Sequence, residues 1–136
     1  MNTELNLKTL IVKKPLKLDC GKTINDFPIA YETYGTLNEE KDNAILVFHA
    51  LTGDQFVTGL NPITKKEGWW SYAVGSGKAV DTDKYFVICA NVIGGCMGSF
   101  GPSHINHKTK NVYGTDFPVI TINDIVNAQV SLLDHF

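Results

Sequence analysis

The chain has 136 residues, of which 43% are hydrophobic and 19% are charged, and its formal net charge is −2. This balance is typical of a globular chain rather than a disordered one, and the lack of a basic excess argues against a nucleic-acid partner. No run of 18 apolar residues is present, which predicts no transmembrane helix and no membrane partner. The first ten residues lack the apolar core of a signal peptide.

The cysteines are three in number, Cys20, Cys89 and Cys96, and none of them forms a C-x-x-C pair. An odd number at these spacings argues against a disulfide framework and against a structural zinc site. The pattern is typical of a reducing compartment, so we expect a cytoplasmic location.

Three strands are predicted in chain order. Residues 29–34 alternate between polar and apolar side chains and are rich in β-forming types, which predicts a half-buried strand that Gly35 ends. Residues 44–48 and 85–90 are continuous apolar runs, the pattern of strands covered on both faces in a parallel sheet. Residues 68–78 are predicted to contain a short crossover helix, which would complete a right-handed βαβ unit.

A helix is predicted to begin after Thr121, because Thr121 and Asp124 match a capping box. Its apolar residues recur at helical spacing and predict one stripe: Ile122, Ile125, Val126, Leu132, Leu133 and Phe136. The stripe reaches Phe136 without a glycine C-cap or a basic last turn. We therefore expect the chain to be truncated relative to the fold that it encodes.

The segment H-A-L-T-G at residues 49–53 directly follows the predicted strand at 44–48. Ligands of open α/β sheets bind beyond the carboxyl ends of the strands, and a loop at this place can donate a backbone N–H to an oxyanion hole. From the local pattern alone, an ordinary strand-to-helix loop with a glycine for its turn is the favoured interpretation. His49 has no acidic neighbour in sequence, so we interpret it as a hydrogen-bonded structural residue rather than a general base.

Residues 94–102 form a glycine-rich segment that contains Cys96 and Ser99. Met97 stands where the nucleophile motif G-x-S-x-G requires its first glycine, and no helix is predicted after Ser99. Cys96 has no base nearby in sequence that would activate it. A phosphate-binding loop would need G-x-x-x-x-G-K-[ST], which is absent. A loop packed over the end of the sheet is the favoured interpretation.

Three further pairs are interpreted structurally. His104 and His107 lack the second ligand pair of a zinc site, so no metal site is predicted. Asp81 and Asp83 favour a turn before a strand over a cation site. The tandem Trp69–Trp70 favours packing, and the alternative is that the pair lines a pocket entrance.

Four ordered blocks together resemble the homoserine O-acetyltransferase family. They are N-A-I-L-V-F-H-A-L-T-G-D (43–54), E-G-W-W (67–70), residues 77–102 and Y-G-T-D-F-P-V-I-T-I-N-D (113–124). The resemblance implies that residues 1–136 are the N-terminal portion of a single α/β-hydrolase domain, with residues 1–15 as an extension. It implies a mostly parallel sheet with crossover helices, truncated before the nucleophile elbow.

The resemblance implies acetyl transfer from acetyl-CoA, the co-substrate, to L-homoserine in methionine biosynthesis, with no other cofactor. Leu51 matches the residue whose backbone N–H forms half of the oxyanion hole, and Ser99 matches a loop serine. The nucleophilic serine and its aspartate and histidine are expected beyond Phe136, so the chain alone should be inactive. Its expected partners are the missing C-terminal portion or a second copy, because the strand at 44–48 lacks a neighbour. A non-catalytic remnant, a related serine or homoserine O-acyltransferase and an esterase-like enzyme remain alternatives.

Overall fold

The computed structural model describes residues 7–136. Contacts divide them into two compact units: unit 1 comprises residues 7–8 and Tyr31–Ala90, and unit 2 comprises Thr9–Ala30 and Asn91–Phe136. Residues 1–6 of the predicted extension lie outside the described part. The elements in chain order are β1 (Thr9–Val12), β2 (Leu16–Lys17), β3 (Thr23–Ile24), β4 (Phe27–Tyr34), β5 (Ala44–Val47), β6 (Val74–Gly75), β7 (Val80–Asp81), β8 (Phe86–Ala90), a 3-10 turn (Gly114–Asp116) and α1 (Ile122–Leu133).

Unit 1 contains a mixed sheet around β8. The second half of β4 runs antiparallel to β8, with Tyr34 opposite Val87. On its other side β8 runs parallel to β5, with Val47 opposite Cys89. Every residue of β8 is buried, because it has a strand on both sides. The predicted parallel pairing of the two apolar runs is confirmed, and the strand predicted at 29–34 is the larger part of β4.

Strand β5 is less covered than its apolar sequence predicts. Val47 is its one buried residue, Ala44 is exposed, and Phe48, which follows the strand, is 47% exposed. Among residues 7–136, no strand pairs with the edge of β5 that faces away from β8. The exposure of Ala44 and Phe48 shows that the prediction of cover on both faces is wrong for the described residues. The open edge confirms the expectation that this strand lacks a neighbour on one side.

The helix predicted within residues 68–78 is also wrong, because successive turns lead there into β6. Ala73 N–H and Val74 N–H both donate to the Trp70 carbonyl, at 2.9 and 3.0 Å. Gly75 and Gly77 then take φ values of +151° and +67°, which no regular α-helix contains. The connection between β5 and β8 therefore contains no helix, and the predicted βαβ unit is not formed.

Unit 2 combines two antiparallel ladders with α1. The first half of β4 pairs with β1, Thr9 lying opposite Ala30, and β2 pairs with β3. The predicted capping box is confirmed: Asp124 N–H donates to the Thr121 hydroxyl at 3.2 Å, and Thr121 N–H donates to the Asp124 carboxylate at 2.9 Å. The other Asp124 oxygen accepts from Asp19 N–H at 2.9 Å. One fully buried carboxylate thus joins α1 to the turn after β2.

The Asp19 side chain completes a reciprocal contact with the same helix end. Its carboxylate accepts from the Thr121 hydroxyl at 2.6 Å and from the Asn123 amide at 3.0 Å. These two bonds lower the pKa of Asp19, the Thr121 bond most strongly. The first turn of α1 is therefore fixed by polar contacts and not by apolar packing.

The predicted apolar stripe of α1 does not coincide with its buried face. The buried residues are Asp124, Ala128, Gln129 and Leu132. Of the predicted stripe, Leu132 is buried, whereas three members are exposed by 77%, 41% and 38%: Ile122, Val126 and Leu133. The prediction is wrong because the Asp124 contact rotates the polar capping residue inward, and an apolar face remains exposed in the described part of the chain.

A six-residue turn of the same design occurs once in each unit. Residues 61–66 and 106–111 share the sequence N-x-x-T-K-x, and an isolated antiparallel bridge closes each turn. The asparagine side chain accepts from the N–H two residues later in both cases. The lysine at the fifth position takes a φ of +60° in one turn and +63° in the other. The two turns are thus built by local hydrogen bonds.

Replacing Asp124 by alanine should destabilise unit 2 strongly. The change leaves the N–H groups of Asp19 and Thr121 without their acceptor, so we expect the free energy of unfolding to fall by about 2–3 kcal/mol. Asp134→Ala is the matched control, since Asp134 is an exposed acid at the other end of α1. Urea unfolding at one fixed chain concentration measures both changes. Equal losses in the two variants would contradict the assigned role of Asp124.

Candidate active site

The loop that follows β5 presents a main-chain donor at its apex. Gly53 N–H donates to the Ala50 carbonyl at 2.8 Å, so the chain turns at Leu51 and Thr52. The Leu51 side chain is 98% exposed, which excludes a packing role for it. Within residues 7–136, no hydrogen bond engages the Leu51 N–H. This N–H is therefore available to an external acceptor.

Asp54 fixes the end of this loop through both its main chain and its side chain. Its carbonyl accepts from the Trp69 indole N–H at 2.9 Å. One carboxylate oxygen accepts from Phe56 N–H and the other from the Asn61 amide, each at 2.9 Å. These bonds from Trp69, Phe56 and Asn61 thus hold the residue that ends the segment 49–54.

The Tyr34 hydroxyl, at the end of β4, holds the chain just beyond Asp54. It accepts from Val57 N–H at 3.0 Å and from Thr58 N–H at 3.5 Å, and it donates to the Gln55 carbonyl at 3.4 Å. Burial raises the pKa of Tyr34 to about 12, so the hydroxyl keeps its proton and serves as donor and acceptor together. Sequence reasoning missed Tyr34, because the alternation of β4 indicates a strand and not a distant partner.

The tandem tryptophans stack on each other, with ring centroids 5.8 Å apart and planes 11° from parallel. Trp70 packs against the core cluster of unit 1, which contains Val57 and Val74. The predicted packing role is confirmed for Trp70. Trp69 remains 40% exposed, and its indole N–H is the donor to Asp54 described above.

His49 begins the loop and is hydrogen-bonded, as predicted. Its Nδ1 lies 2.8 Å from the Ala50 carbonyl. This bond ties the ring to the loop's own main chain. The predicted hydrogen bond is present, and the structural role of His49 stays a prediction.

Ser99 is a structural residue of unit 2. It is 1% exposed, its hydroxyl donates to the Asn91 carbonyl, and it accepts from Ala30 N–H at 2.9 Å. Both functions of the hydroxyl are therefore used, which agrees with the prediction that Ser99 is not a nucleophile. Cys96, in the same glycine-rich segment, is an exposed free thiol.

The remaining candidate pairs behave as local structure. His104 Nδ1 accepts from Gly101 N–H at 3.1 Å. Asp81 accepts from the N–H groups of Gly77 and Asp83, at 3.0 and 3.1 Å, which confirms the predicted turn and lowers the pKa of Asp81.

In the described part of the chain, no group of three or more histidine, cysteine or acidic side chains could hold a metal ion. No helix of residues 7–136 is long and apolar enough to cross a membrane.

Comparison with known proteins identifies close relatives of this chain. Over all 136 residues it is 76% identical to the homoserine O-acetyltransferase of Pelagibacter ubique (strain HTCC1062). The chain is related over its whole length to homoserine O-acetyltransferases. It spans 37% of the length of that relative, so it corresponds to little more than a third of such an enzyme. No protein-family model matches the chain.

Solved structures of this type confirm the fold. The homoserine O-acetyltransferase of Bacillus anthracis matches with a TM-score of 0.85 and 36% identity, over 94% of this chain and 36% of that chain. Esterase E22 matches with a TM-score of 0.84 and 33% identity, over the same shares. The chain has part of an α/β-hydrolase fold, as the resemblance implied.

Alkaline pH should destabilise unit 1. In the unfolded chain cysteine ionises near pH 9 and tyrosine near pH 10, whereas burial raises the pKa of Cys89 and of Tyr34 to about 12. A group whose pKa is higher in the folded chain than in the unfolded chain stabilises the fold at pH values below its unfolded pKa. This stabilisation is lost as the pH rises towards 12, the pKa in the folded chain. We expect the free energy of unfolding to fall between pH 9 and 12.

The variant Tyr34→Phe isolates one of the two groups. It should lose free energy of unfolding less steeply above pH 10 than the wild type, although it is less stable at neutral pH because Val57 N–H keeps only the Gln55 carbonyl as its acceptor. Tyr85→Phe is the control, since no described hydrogen bond uses the Tyr85 hydroxyl. Urea unfolding across this pH range provides the measurement. Identical slopes for wild type and Tyr34→Phe would contradict the assignment.

Proposed function

We propose that this chain supplies half of the oxyanion hole of an acyltransferase that moves an acetyl group from acetyl-CoA to the hydroxyl of L-homoserine. The supporting observation is the free Leu51 N–H at the apex of an anchored loop, in a chain 76% identical to a homoserine O-acetyltransferase. The nucleophilic serine, its histidine and its aspartate are supplied by residues outside these 136. The proposed setting is methionine biosynthesis in the cytoplasm.

The chemistry requires a donor that is in place before charge develops. When a nucleophile attacks the thioester carbonyl of acetyl-CoA, the carbonyl oxygen becomes negative in a tetrahedral intermediate. Leu51 N–H donates to that oxygen, and a second N–H beside the nucleophile completes the pair. Because Asp54 and Tyr34 hold the chain after Leu51, little reorganisation is needed when the charge appears. The tetrahedral intermediate collapses to the acyl-enzyme by breaking the C–S bond, and CoA leaves as its thiol after taking up the proton of the nucleophile. The homoserine hydroxyl then attacks the acyl-enzyme, which gives O-acetylhomoserine and returns the proton to the nucleophile.

Ester hydrolysis is the second candidate, because esterase E22 matches the chain as closely in structure as the acyltransferase does. The same oxyanion hole would serve, with water replacing homoserine as the acceptor. The 76% identity to an acyltransferase favours acetyl transfer. The products separate the two reactions, since transfer yields O-acetylhomoserine and hydrolysis yields acetate.

The proposed partner is the remainder of the fold. The unpaired edge of β5 in unit 1 and the exposed apolar face of α1 in unit 2 are surfaces that a continuing α/β sheet and its helices would cover. Such a partner is the unmatched remainder of a homoserine O-acetyltransferase. A second copy of this chain is the occupant expected when that remainder is absent.

The chain alone should therefore self-associate, and the remainder of the Pelagibacter ubique homologue should convert it into one defined complex. Leu46→Lys places a charge on the open edge strand and should weaken both associations. Glu40→Gln raises the net charge equally in an exposed turn and should change neither. Sedimentation velocity measures the species. A monodisperse wild-type monomer that ignores the remainder would contradict this partner.

Within that complex, Leu51→Pro should abolish most of the activity, because proline has no N–H. We expect a fall of about 10²–10³-fold in kcat, as for loss of one oxyanion donor. Leu51→Ala keeps the N–H and removes only an exposed side chain, so it should retain activity. CoA thiol release in the presence of homoserine provides the assay, and O-acetylhomoserine is quantified beside it.

Three outcomes of this assay would each overturn part of the proposal. An active Leu51→Pro complex would exclude the Leu51 N–H as a donor. Acetate without O-acetylhomoserine would replace transfer by hydrolysis. Turnover by the chain without the remainder would show that the nucleophile lies within it.

A further inference from the structure

Cys89 lies beneath both ends of the loop that carries Leu51. It belongs to β8, its side chain is fully buried, and it stands opposite Val47 of β5. A backbone hydrogen bond from His49, at the start of the loop, lowers the pKa of the Cys89 thiol, against the larger opposite effect of burial. The same sulfur lies 3.9 Å from the Asp54 carbonyl oxygen, at the end of the loop, as a thiol donor to it. One sulfur atom therefore contacts residues on both sides of the apex.

We propose that Cys89 is a positioning residue for the acyl-transfer site: its thiol joins His49 to Asp54 and thereby sets the direction of the Leu51 N–H. This role rests on the proposed function, since it gives the loop geometry a catalytic use. Trp69 acts with it, because its indole N–H donates to the same Asp54 carbonyl at 2.9 Å.

The chemistry of a thiol suits this place better than that of the obvious substitutes. Sulfur is a donor and an acceptor, so it can accept from His49 and donate to Asp54 at once. Its longer bonds reach both groups from one position, whereas alanine offers neither function and a serine hydroxyl has a shorter reach. Burial raises the pKa of Cys89 to about 12, and the Asp54 carboxylate adds to the rise. The thiol therefore stays protonated and remains a donor at neutral pH.

The contact is separable from the packing of the core. Val87 lies two residues before Cys89 on β8, so both side chains project from the same face. Both belong to the buried cluster with Val47, Val57 and Val74. Val87→Ala therefore weakens the same cluster without removing a contact to the loop, and it is the matched control for Cys89→Ala.

Hydrogen–deuterium exchange of single amides tests the proposal in the full chain bound to the Pelagibacter ubique remainder. The reporter is the Gly53 amide, which closes the loop on Ala50, and the reference is the Phe86 amide, which donates to Asn43 at the start of the sheet. Relative to Phe86, Gly53 should exchange about five-fold faster in Cys89→Ala, as expected for loss of weak hydrogen bonds. Val87→Ala should speed both amides in parallel, and Cys89→Ser should lie between wild type and Cys89→Ala.

Activity provides the second readout. Cys89→Ala should lower kcat about ten-fold while changing KM for acetyl-CoA less than two-fold, since the donor acts on the transition state and not on binding. Val87→Ala, matched in stability, should keep kcat. Parallel behaviour of Cys89→Ala and Val87→Ala in exchange and in kcat would overturn the proposal.

The two proposals fail in different ways. If Leu51→Pro remains active while Cys89→Ala still loosens Gly53, the oxyanion function is wrong and the loop contact stands without a catalytic use. If Leu51→Pro is inactive and Cys89→Ala leaves Gly53 unchanged, the oxyanion function stands and Cys89 is only a core residue.

Discussion

The hydrogen bonds of one phenolic hydroxyl determine how the long connection of unit 1 is arranged. Tyr34, at the end of β4, binds the main chain at Gln55, Val57 and Thr58. Gly68 then packs directly on this segment: a Cβ at residue 68 would lie 2.5 Å from the Thr58 nitrogen. Because Gly68 approaches so closely, Trp69 comes within reach of the Asp54 carbonyl. The position of the Leu51 loop thus depends on the hydrogen bonds of Tyr34, which lies 17 residues before Leu51 in the sequence.

Unit 2 follows the same principle with different groups. The Asp124 carboxylate and the Ser99 hydroxyl are buried, and each satisfies main-chain groups from distant parts of the sequence. Close approach again requires glycine, since a Cβ at Gly101 would lie 2.2 Å from the Gly95 carbonyl oxygen. Buried polar groups are costly unless they are paired. In both units, therefore, hydrogen-bonded polar groups fix the geometry of the loops, whereas apolar side chains pack in the core of the sheet.

The sequence pattern correctly predicted the features that depend on interactions between residues close together in the sequence. The strands at β4, β5 and β8, the Thr121–Asp124 capping box and the Asp81 turn depend on neighbouring residues, and all were found. The helix at 68–78 failed because the apolar content of Trp69 and Trp70 serves packing, whereas Gly75 and Gly77 prevent helix continuation. The cover of β5 and the stripe of α1 failed because hydrophobic periodicity indicates which surface needs a neighbour and not whether one is present.

The candidate site divides in the same way. The loop at 49–53 was located by its place after an apolar strand, and Leu51 was assigned by resemblance. Its supports were missed, since Cys89 contacts Asp54 across 35 residues and Tyr34 contacts Val57 across 23. Contacts between residues so far apart cannot be predicted from the spacing of residues within one strand or helix. Once β5, β8 and β4 are known to be neighbours, however, their terminal residues become the places where supports of this kind are expected.

The repeated N-x-x-T-K-x turn has a practical use. Because asparagine and threonine side chains close each turn, its shape owes little to the surrounding core. Residues 61–66 and 106–111 could therefore exchange their variable positions, or carry a fluorophore or an epitope, with little effect on the fold. The first turn is nonetheless coupled to the candidate site, since Asn61 also binds Asp54. A label in the second turn is thus the inert choice, and one in the first would report on the loop that holds Leu51.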